Sequence, residues 1–357
     1  MTATRPVAQR SGARTRRGDP EGVLVVDKPV GPSSHDVVAL VRRLAGQRRV
    51  GHGGTLDPFA SGVLPLFLGR ATRLAEYHLG ADKEYRATVC LGASSTTDDL
   101  EGELRPASGP APDRPAVESA LAGFVGTFLQ QPPAYSARKV GGRRAYALAR
   151  AGLETQLQPR EVSFRRLELV GWDGSDPDRP LATIVVACSA GTYVRALARD
   201  LGAAVGSGAY LGALRRTAAG PFTLATALSL DEVRAAAAEG RFGSLLLPVG
   251  AGLDHLPAVR LSDADAGIVL RGGWVRIPRD AEIGPDPALP VRVFDDTGRL
   301  VAIGRLASGR LVPDKVLADS LPALDGAGGG PAPRPGGEPT GDGTATAAAA
   351  DEDDRDG

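Results

Sequence analysis

Apolar and polar positions follow two periods along the chain, and together they predict a mixture of strands and helices. Gly22-Val23-Leu24-Val25-Val26 is an unbroken apolar run closed by the turn Pro29-Val30-Gly31-Pro32, which predicts a buried strand. Val37, Val41 and Leu44 then recur once per turn, with Ser33 or Ser34 placed to cap and Arg42 and Arg43 to the side, as a helix requires. A short helical stretch is expected over 72–78. Over 84–91, Tyr85, Ala87, Val89 and Leu91 alternate with Arg86, Thr88 and Cys90, the period of a strand with one buried face. Residues 115–124 read as a helix burying Val117, Leu121 and Phe124. Residues 161–170, 181–188 and 208–216 read as strands. A helix opening at Gly191-Thr192 carries Val194, Leu197, Leu201 and Val205 at helical spacing, and Arg195 and Arg199 share a face four residues apart. Ser229 and Glu232 form a capping box for a helix through Ala238. Beyond Pro257, an apolar run at 291–294, a turn at 295–298 and a second run at 300–306 predict a small β unit.

Length and charge bound this picture without deciding it. The chain has 357 residues, 42% of them hydrophobic, enough for two domains and a sizeable core. No apolar run approaches the roughly 20 residues of a membrane helix and no signal-peptide core stands at the N-terminus, so a cytoplasmic location and no membrane association are expected. Cys90 and Cys188 both fall in strand-like runs, which predicts two buried thiols, and neither has a metal-ligand spacing. The formal net charge of zero hides an asymmetry. Residues 1–20 carry five arginines and one acid, residues 319–357 two arginines and nine acids, leaving 35 basic and 32 acidic residues between. The first segment lacks apolar periodicity and is either a basic arm for phosphates or a solvated terminus. The last is an acidic, low-complexity tail.

Candidate chemistry gathers at Gly51-His52-Gly53-Gly54-Thr55-Leu56-Asp57-Pro58-Phe59-Ala60-Ser61-Gly62-Val63-Leu64-Pro65. The glycines admit a backbone path that side chains would obstruct, and Pro58 fixes the chain after Asp57. Asp57 is the candidate nucleophile or base, with His52 five residues upstream. An isolated Asp-Pro would mark only a turn. A second stretch, 130–155, mixes Arg138, Lys139, Arg143 and Arg144 with Tyr135, Tyr146 and glycines. Such a loop can neutralise a phosphate backbone while its rings pack on sugar or base. Residues 94–102, with paired Asp98 and Asp99, read as a solvated surface loop.

The whole glycine-rich stretch resembles the signature of the TruB-type tRNA pseudouridine synthases. The likeness continues at Val26-Asp27-Lys28-Pro29, Lys83-Glu84-Tyr85 and Cys188-Ser189-Ala190-Gly191-Thr192-Tyr193-Val194-Arg195, and covers most of 21–318. It implies an α+β pseudouridine synthase fold: a central mixed, mainly antiparallel sheet flanked by helices over 21–253, with 130–155 as an RNA-binding insertion. A PUA-like RNA-binding unit over 257–318 would follow, for which a plain β appendage is the rival reading.

It further implies isomerisation of uridine to pseudouridine in the T-loop of tRNA, at position 55, on an extruded nucleotide. Asp57 takes the family's essential aspartate role, at C1′, C2′ or C6, and Arg195 is the expected ion-pair partner, because a buried carboxylate stays charged only when paired. Tyr85 and Tyr193 would line the uracil pocket with Leu214 as apolar wall, Tyr85 stacking on the base and assisting proton removal at C5. Lys28 would support the cleft, and His52 would fill or organise the space the nucleotide leaves. Nothing is oxidised and no group enters or leaves, so no cofactor or metal is expected. No obligate protein partner is expected either, and the chain should act as a monomer. Gly53 stands where the family often has threonine or alanine. The rival function is a non-catalytic RNA-binding or RNA-folding protein using the same basic loop and C-terminal unit. A second rival is a hydrolase using Asp57 with His52.

Overall fold

The structure, a computed structural model, describes residues 18–107, 109–135, 139–140, 143–144, 157–277 and 289–317. In chain order its first elements are β1 (Gly22–Lys28), α1 (Ser34–Leu44), β2 (Val50–His52), β3 (Ser61–Leu68), α2 (Ala75–Leu79) and β4 (Lys83–Leu91). There follow β5 (Ala93–Ser95), β6 (Leu104–Pro106), α3 (Arg114–Ala122), β7 (Gly126–Gln130), β8 (Lys139–Val140) and β9 (Arg143–Arg144). The remaining elements before residue 240 are β10 (Arg160–Asp173), β11 (Leu181–Cys188), α4 (Val194–Ala204), β12 (Ala209–Ala219), β13 (Phe222–Thr223), β14 (Leu228–Ser229) and α5 (Leu230–Ala238).

One ten-stranded sheet runs β14-β1-β3-β12-β4-β11-β10-β7, with β2 on β3 and β13 on β12. Most pairs are antiparallel. The β1–β14 and β3–β12 pairs are parallel, so the sheet is mixed as expected. The strand that the sequence order would not suggest is β12, inserted between β3 and β4. That insertion sets Arg216 opposite Tyr85 on one side and opposite Gly62 on the other. Alternation does the rest: Tyr85, Ala87, Val89 and Leu91 turn to the core and Arg86 to solvent. One continuous core holds these residues with Leu24, Leu64, Ile184, Leu197 and Leu201, so α4 packs its apolar face on the sheet.

Helix ends follow local chemistry. Ser33 and Asp36 form the capping box of α1, which frees Ser34 to turn inward. Ser229 and Glu232 form that of α5. The helix expected from Gly191 begins only at Val194, because Gly191 sits at φ +79° and Tyr193 is extended. The β-like residues expected at 208–216 extend to Ala219 as β12. Cys188 is buried as expected, whereas Cys90 is only half-buried.

Past α5, β15 (Ala258–Arg260), α6 (Asp263–Leu270), β16 (Val275–Arg276), β17 (Val291–Phe294), β18 (Leu300–Ala307) and β19 (Arg310–Val316) build a separate five-stranded sheet, β15-β17-β18-β19-β16. An apolar cluster of Leu74, Leu253, Leu256, Ile303 and Leu317 joins it to the first. At the surface, Tyr77 donates to Asp314 (3.0 Å) and Lys315 pairs with Glu76 (3.1 Å). Among the described residues no helix is long and apolar enough to cross a membrane.

Candidate active site

The Asp57 loop joins β2 to β3 and is held from three sides. Ser34, fully buried at the start of α1, accepts from the Leu56 N–H (2.8 Å) and donates back to the Leu56 carbonyl (2.9 Å). Lys28, at the end of β1, donates to the carbonyls of Pro29 and Pro32 (2.9 Å each) and Pro58 (3.4 Å). Arg216 donates through Nε to the Val63 carbonyl (2.7 Å) and through its terminal nitrogens to those of Thr55 (3.5 Å) and Gly54 (3.1 Å). Two fully buried cations thus bind the carbonyl ends of the loop on either side of Asp57. Burial pushes the Lys28 ammonium down to about 8, with nearby Asp57 opposing and Arg216 assisting. At Gly62 the chain passes so close to β12 that an ideal Cβ would collide with the Arg216 backbone, and φ is +108° there; only glycine fits.

Asp57 keeps its carboxylate at the mouth of a cavity of about 420 Å³ whose lining includes Tyr85, Tyr193, Arg195 and Leu214. Oδ2 pairs with Arg195 Nε at 3.0 Å, and Oδ1 makes no hydrogen bond among the described residues. Arg195, on the first turn of α4, is itself buried. It donates to the carbonyls of Thr97 (3.0 Å) and Tyr135 (2.9 Å) and pairs with Asp99 (3.3 Å). Asp99 is almost wholly buried and Asp98 pairs with Arg199 at 3.0 Å, so the paired aspartates are not the solvated loop their composition suggests. Their burial rests on two cations from α4, about a hundred residues away, which a local reading of a Ser/Thr/Asp turn does not contain.

Tyr85 is buried, and loss of solvent raises its phenol above the usual range. Tyr193 precedes α4 and is fixed through its backbone. Its N–H donates to the Gln130 side-chain oxygen (2.9 Å), and the Gln130 amide donates to its carbonyl (3.1 Å). His52 is not part of the cavity lining. It lies at the end of β2, where its Nδ1 accepts from the Gly54 N–H (3.3 Å) and its ring meets His35 edge-on at 5.5 Å. Burial lowers its pKa below the ordinary value. Lys28 supports the loop from behind. Of the basic insertion, Arg138 lies outside the described residues, while Lys139 pairs with Arg144 and Val140 with Arg143 as a short hairpin, β8–β9, of which only the backbone is described. Residues 1–17 and 318–357 also lie outside the described residues.

Three charged lining residues were given no site role by the sequence reading: Lys83, Arg160 and Arg216. Arg216 was within reach, since it is two residues past Leu214 on a strand and must share its face. Lys83 stands in the same relation to Tyr85. Its ammonium, pushed down to about 8 by burial, donates to the Leu79 carbonyl (2.7 Å) and to that of Ala81. Among the described residues no three of His, Cys, Asp and Glu converge as a metal site would need.

Comparison with known proteins matches this architecture. The model of the TruB family pseudouridylate synthase N-terminal domain matches residues 42–194, and that of the tRNA pseudouridylate synthase B C-terminal domain matches 195–254. The tRNA pseudouridine synthase B of Thermobifida fusca is 46% identical over 306 residues, 84% of this chain and 99% of that protein. That of Cupriavidus metallidurans is 42% identical over 322 residues, 88% and 98% of the two chains. Among solved structures, a Cbf5-Nop10-Gar1 complex aligns with TM-score 0.64 and 28% identity over 83% of this chain and 85% of that chain. An H/ACA RNP bound to a substrate RNA containing 2'-deoxyuridine aligns with TM-score 0.64 and 25% identity over 88% and 95%. A sheet that threads β12 between β3 and β4 to put an aspartate over a nucleotide-sized cavity, and relatives this similar over nearly their whole length, lead to one conclusion: the chain belongs to the TruB family of pseudouridine synthases.

Proposed function

We propose that this enzyme converts uridine to pseudouridine in the T-loop of tRNA, at position 55, with Asp57 as the nucleophile or base acting on an extruded nucleotide. The observation that carries the reading is the asymmetric carboxylate of a residue that lines the cavity: one oxygen is fixed by Arg195 at 3.0 Å while the other makes no hydrogen bond among the described residues. The reaction breaks the bond from ribose C1′ to uracil N1, turns the base and rejoins C1′ to C5; a base removes the C5 proton and N1 takes up a proton, so the atoms balance. A charged, pre-positioned oxygen is what the first step requires, and RNA bound over the open side of the cavity would keep the freed uracil from water.

Leu214 and Tyr85, which both line the cavity, offer surface suited to a planar base, and Tyr193 offers a second ring. Because burial keeps the Tyr85 phenol protonated, it suits stacking; accepting the C5 proton would need its phenolate, so a carboxylate is the better acceptor. His52, outside the lining beside His35, suits a place on the RNA side, where it would fill the gap left in the T-loop stack. Lys139, Arg143 and Arg144 with Arg138 supply the sequence with a phosphate-binding insertion. We assign the second sheet, within 257–318, to a PUA-like RNA-binding role. There Trp274 is exposed and carries the Arg310 guanidinium 4.1 Å above its ring. With its own basic insertion the chain is read as a free-standing, monomeric, cytoplasmic enzyme with the tRNA T arm as its partner.

Asp57→Asn tests the assignment, since it keeps shape and removes charge. Base-resolved mapping of a T-arm transcript should show conversion at position 55 by the unaltered protein and none by the variant, with RNA affinity nearly unchanged. Conversion retained in the variant refutes the role of Asp57. RNA mass separates isomerase from hydrolase, because isomerisation leaves it unchanged.

A further inference from the structure

Arg160 begins β10, where the chain returns from the basic insertion, and lines the Asp57 cavity. Its guanidinium lies over the 189–192 turn, so close that an ideal Cβ on Gly191 would collide with it. The Nε is shielded from solvent, and among the described residues it has no hydrogen-bond partner and no carboxylate pairs with the guanidinium. The other arginines of the cavity are engaged: Arg195 with two carbonyls and two carboxylates, Arg216 with three carbonyls. Buried donors are ordinarily satisfied, and the exceptions in a cleft mark where a ligand supplies the acceptor.

We propose, resting on the pseudouridine synthase reading above, that Arg160 binds a phosphate group flanking the extruded nucleotide. An unpaired full charge calls for an anion, and uracil is neutral, whereas the phosphodiester on either side of the flipped residue carries one negative charge. A planar guanidinium presents paired N–H groups that match two phosphate oxygens. Arg160 is only half-buried and lines the same cavity as Tyr85 and Leu214, so a base held against those two side chains brings its flanking phosphates into the same cleft. Gripping the phosphate there holds the nucleotide in its swung-out position while C1′ stands over Asp57.

The test measures RNA affinity, not turnover, so it remains readable if the assigned reaction fails. Binding of a T-arm RNA is titrated against salt for the wild-type protein, Arg160→Gln and Arg160→Lys. Loss of one phosphate contact should lower the slope of log affinity against log salt by about 0.7–0.9 in Arg160→Gln, and leave it intact in Arg160→Lys. RNAs with an uncharged methylphosphonate at either phosphate flanking the target should bind the wild type about tenfold more weakly at one of the two positions, and carry no such penalty in Arg160→Gln. An unchanged slope, or an equal methylphosphonate penalty in both proteins, overturns the proposal. If Arg160→Gln does not fold, wild-type indifference to both methylphosphonates overturns it alone. Absence of pseudouridine after incubation with wild type would instead sink the assigned reaction and leave these binding results to be judged separately.

Discussion

Removing Arg195 separates two things that its guanidinium does at once, holding Asp57 and neutralising Asp99. At 3.0 and 3.3 Å and an effective dielectric constant near 20, each attraction is about 5 kcal/mol before desolvation is subtracted. Asp57 is partly exposed, so water screens most of its share. Asp99 has no such relief: its side chain is 4% exposed. Arg195→Met therefore leaves a buried carboxylate without its cation and should destabilise the fold by about 3–5 kcal/mol, read as a lower urea midpoint. Adding Asp99→Asn removes the stranded charge and should restore more than half of that loss. Activity should not follow stability. In both Arg195→Met and the double variant Asp57 still lacks its partner, and single-turnover conversion of T-arm RNA should remain at least a hundredfold slow. Recovery of activity together with stability in the double variant would refute the claim that Arg195 acts on Asp57 directly.

Two further outcomes follow from backbone and burial. Gly62→Ala should destabilise by about 2–4 kcal/mol and lower the melting temperature, because the added Cβ meets the Arg216 main chain at a positive φ; a melting temperature within a degree of wild type would refute the close approach. His78 is packed between Phe67 (4.8 Å) and Phe222 (5.5 Å), and burial, aided by His255 and Lys83, pushes its pKa down to about 4. The unfolded chain takes up that proton near 6.5 and the folded one does not, so stability is lost as pH falls from 6.5 to about 4, by on the order of 3 kcal/mol. Urea unfolding across that range should show this contribution vanish in His78→Leu, and an unchanged pH profile would contradict it.

What the sequence disclosed was chiefly local. The cap at Ser33 or Ser34, the capping box at Ser229, the period-two strand at 84–91 and the glycine-lined bend around Asp57 are each written within about ten residues. The order of the sheet is not, since β12 reaches its place between β3 and β4 only by pairing across more than a hundred residues. For the same reason Asp98 and Asp99 read as surface residues: their cations are on α4. Arg216 is the instructive case, because alternation from Leu214 put it on the pocket face, yet a strand arginine is ordinarily turned to water. Arg160 left no local trace, and only its buried Nε, without a hydrogen-bond partner among the described residues, distinguishes it.

The five-residue helix α2 touches two territories. Leu79 forms part of the cavity wall, with its carbonyl gripped by Lys83, while Glu76 and Tyr77, within one turn, grip Lys315 and Asp314 of the second sheet. The second sheet therefore acts as a buttress for the cavity rim. Cutting the chain after residue 257 would not simply pare away affinity from an otherwise intact engine; it would unmoor the rim beside the reacting sugar, so the shortened protein would turn over more slowly even when saturated with RNA.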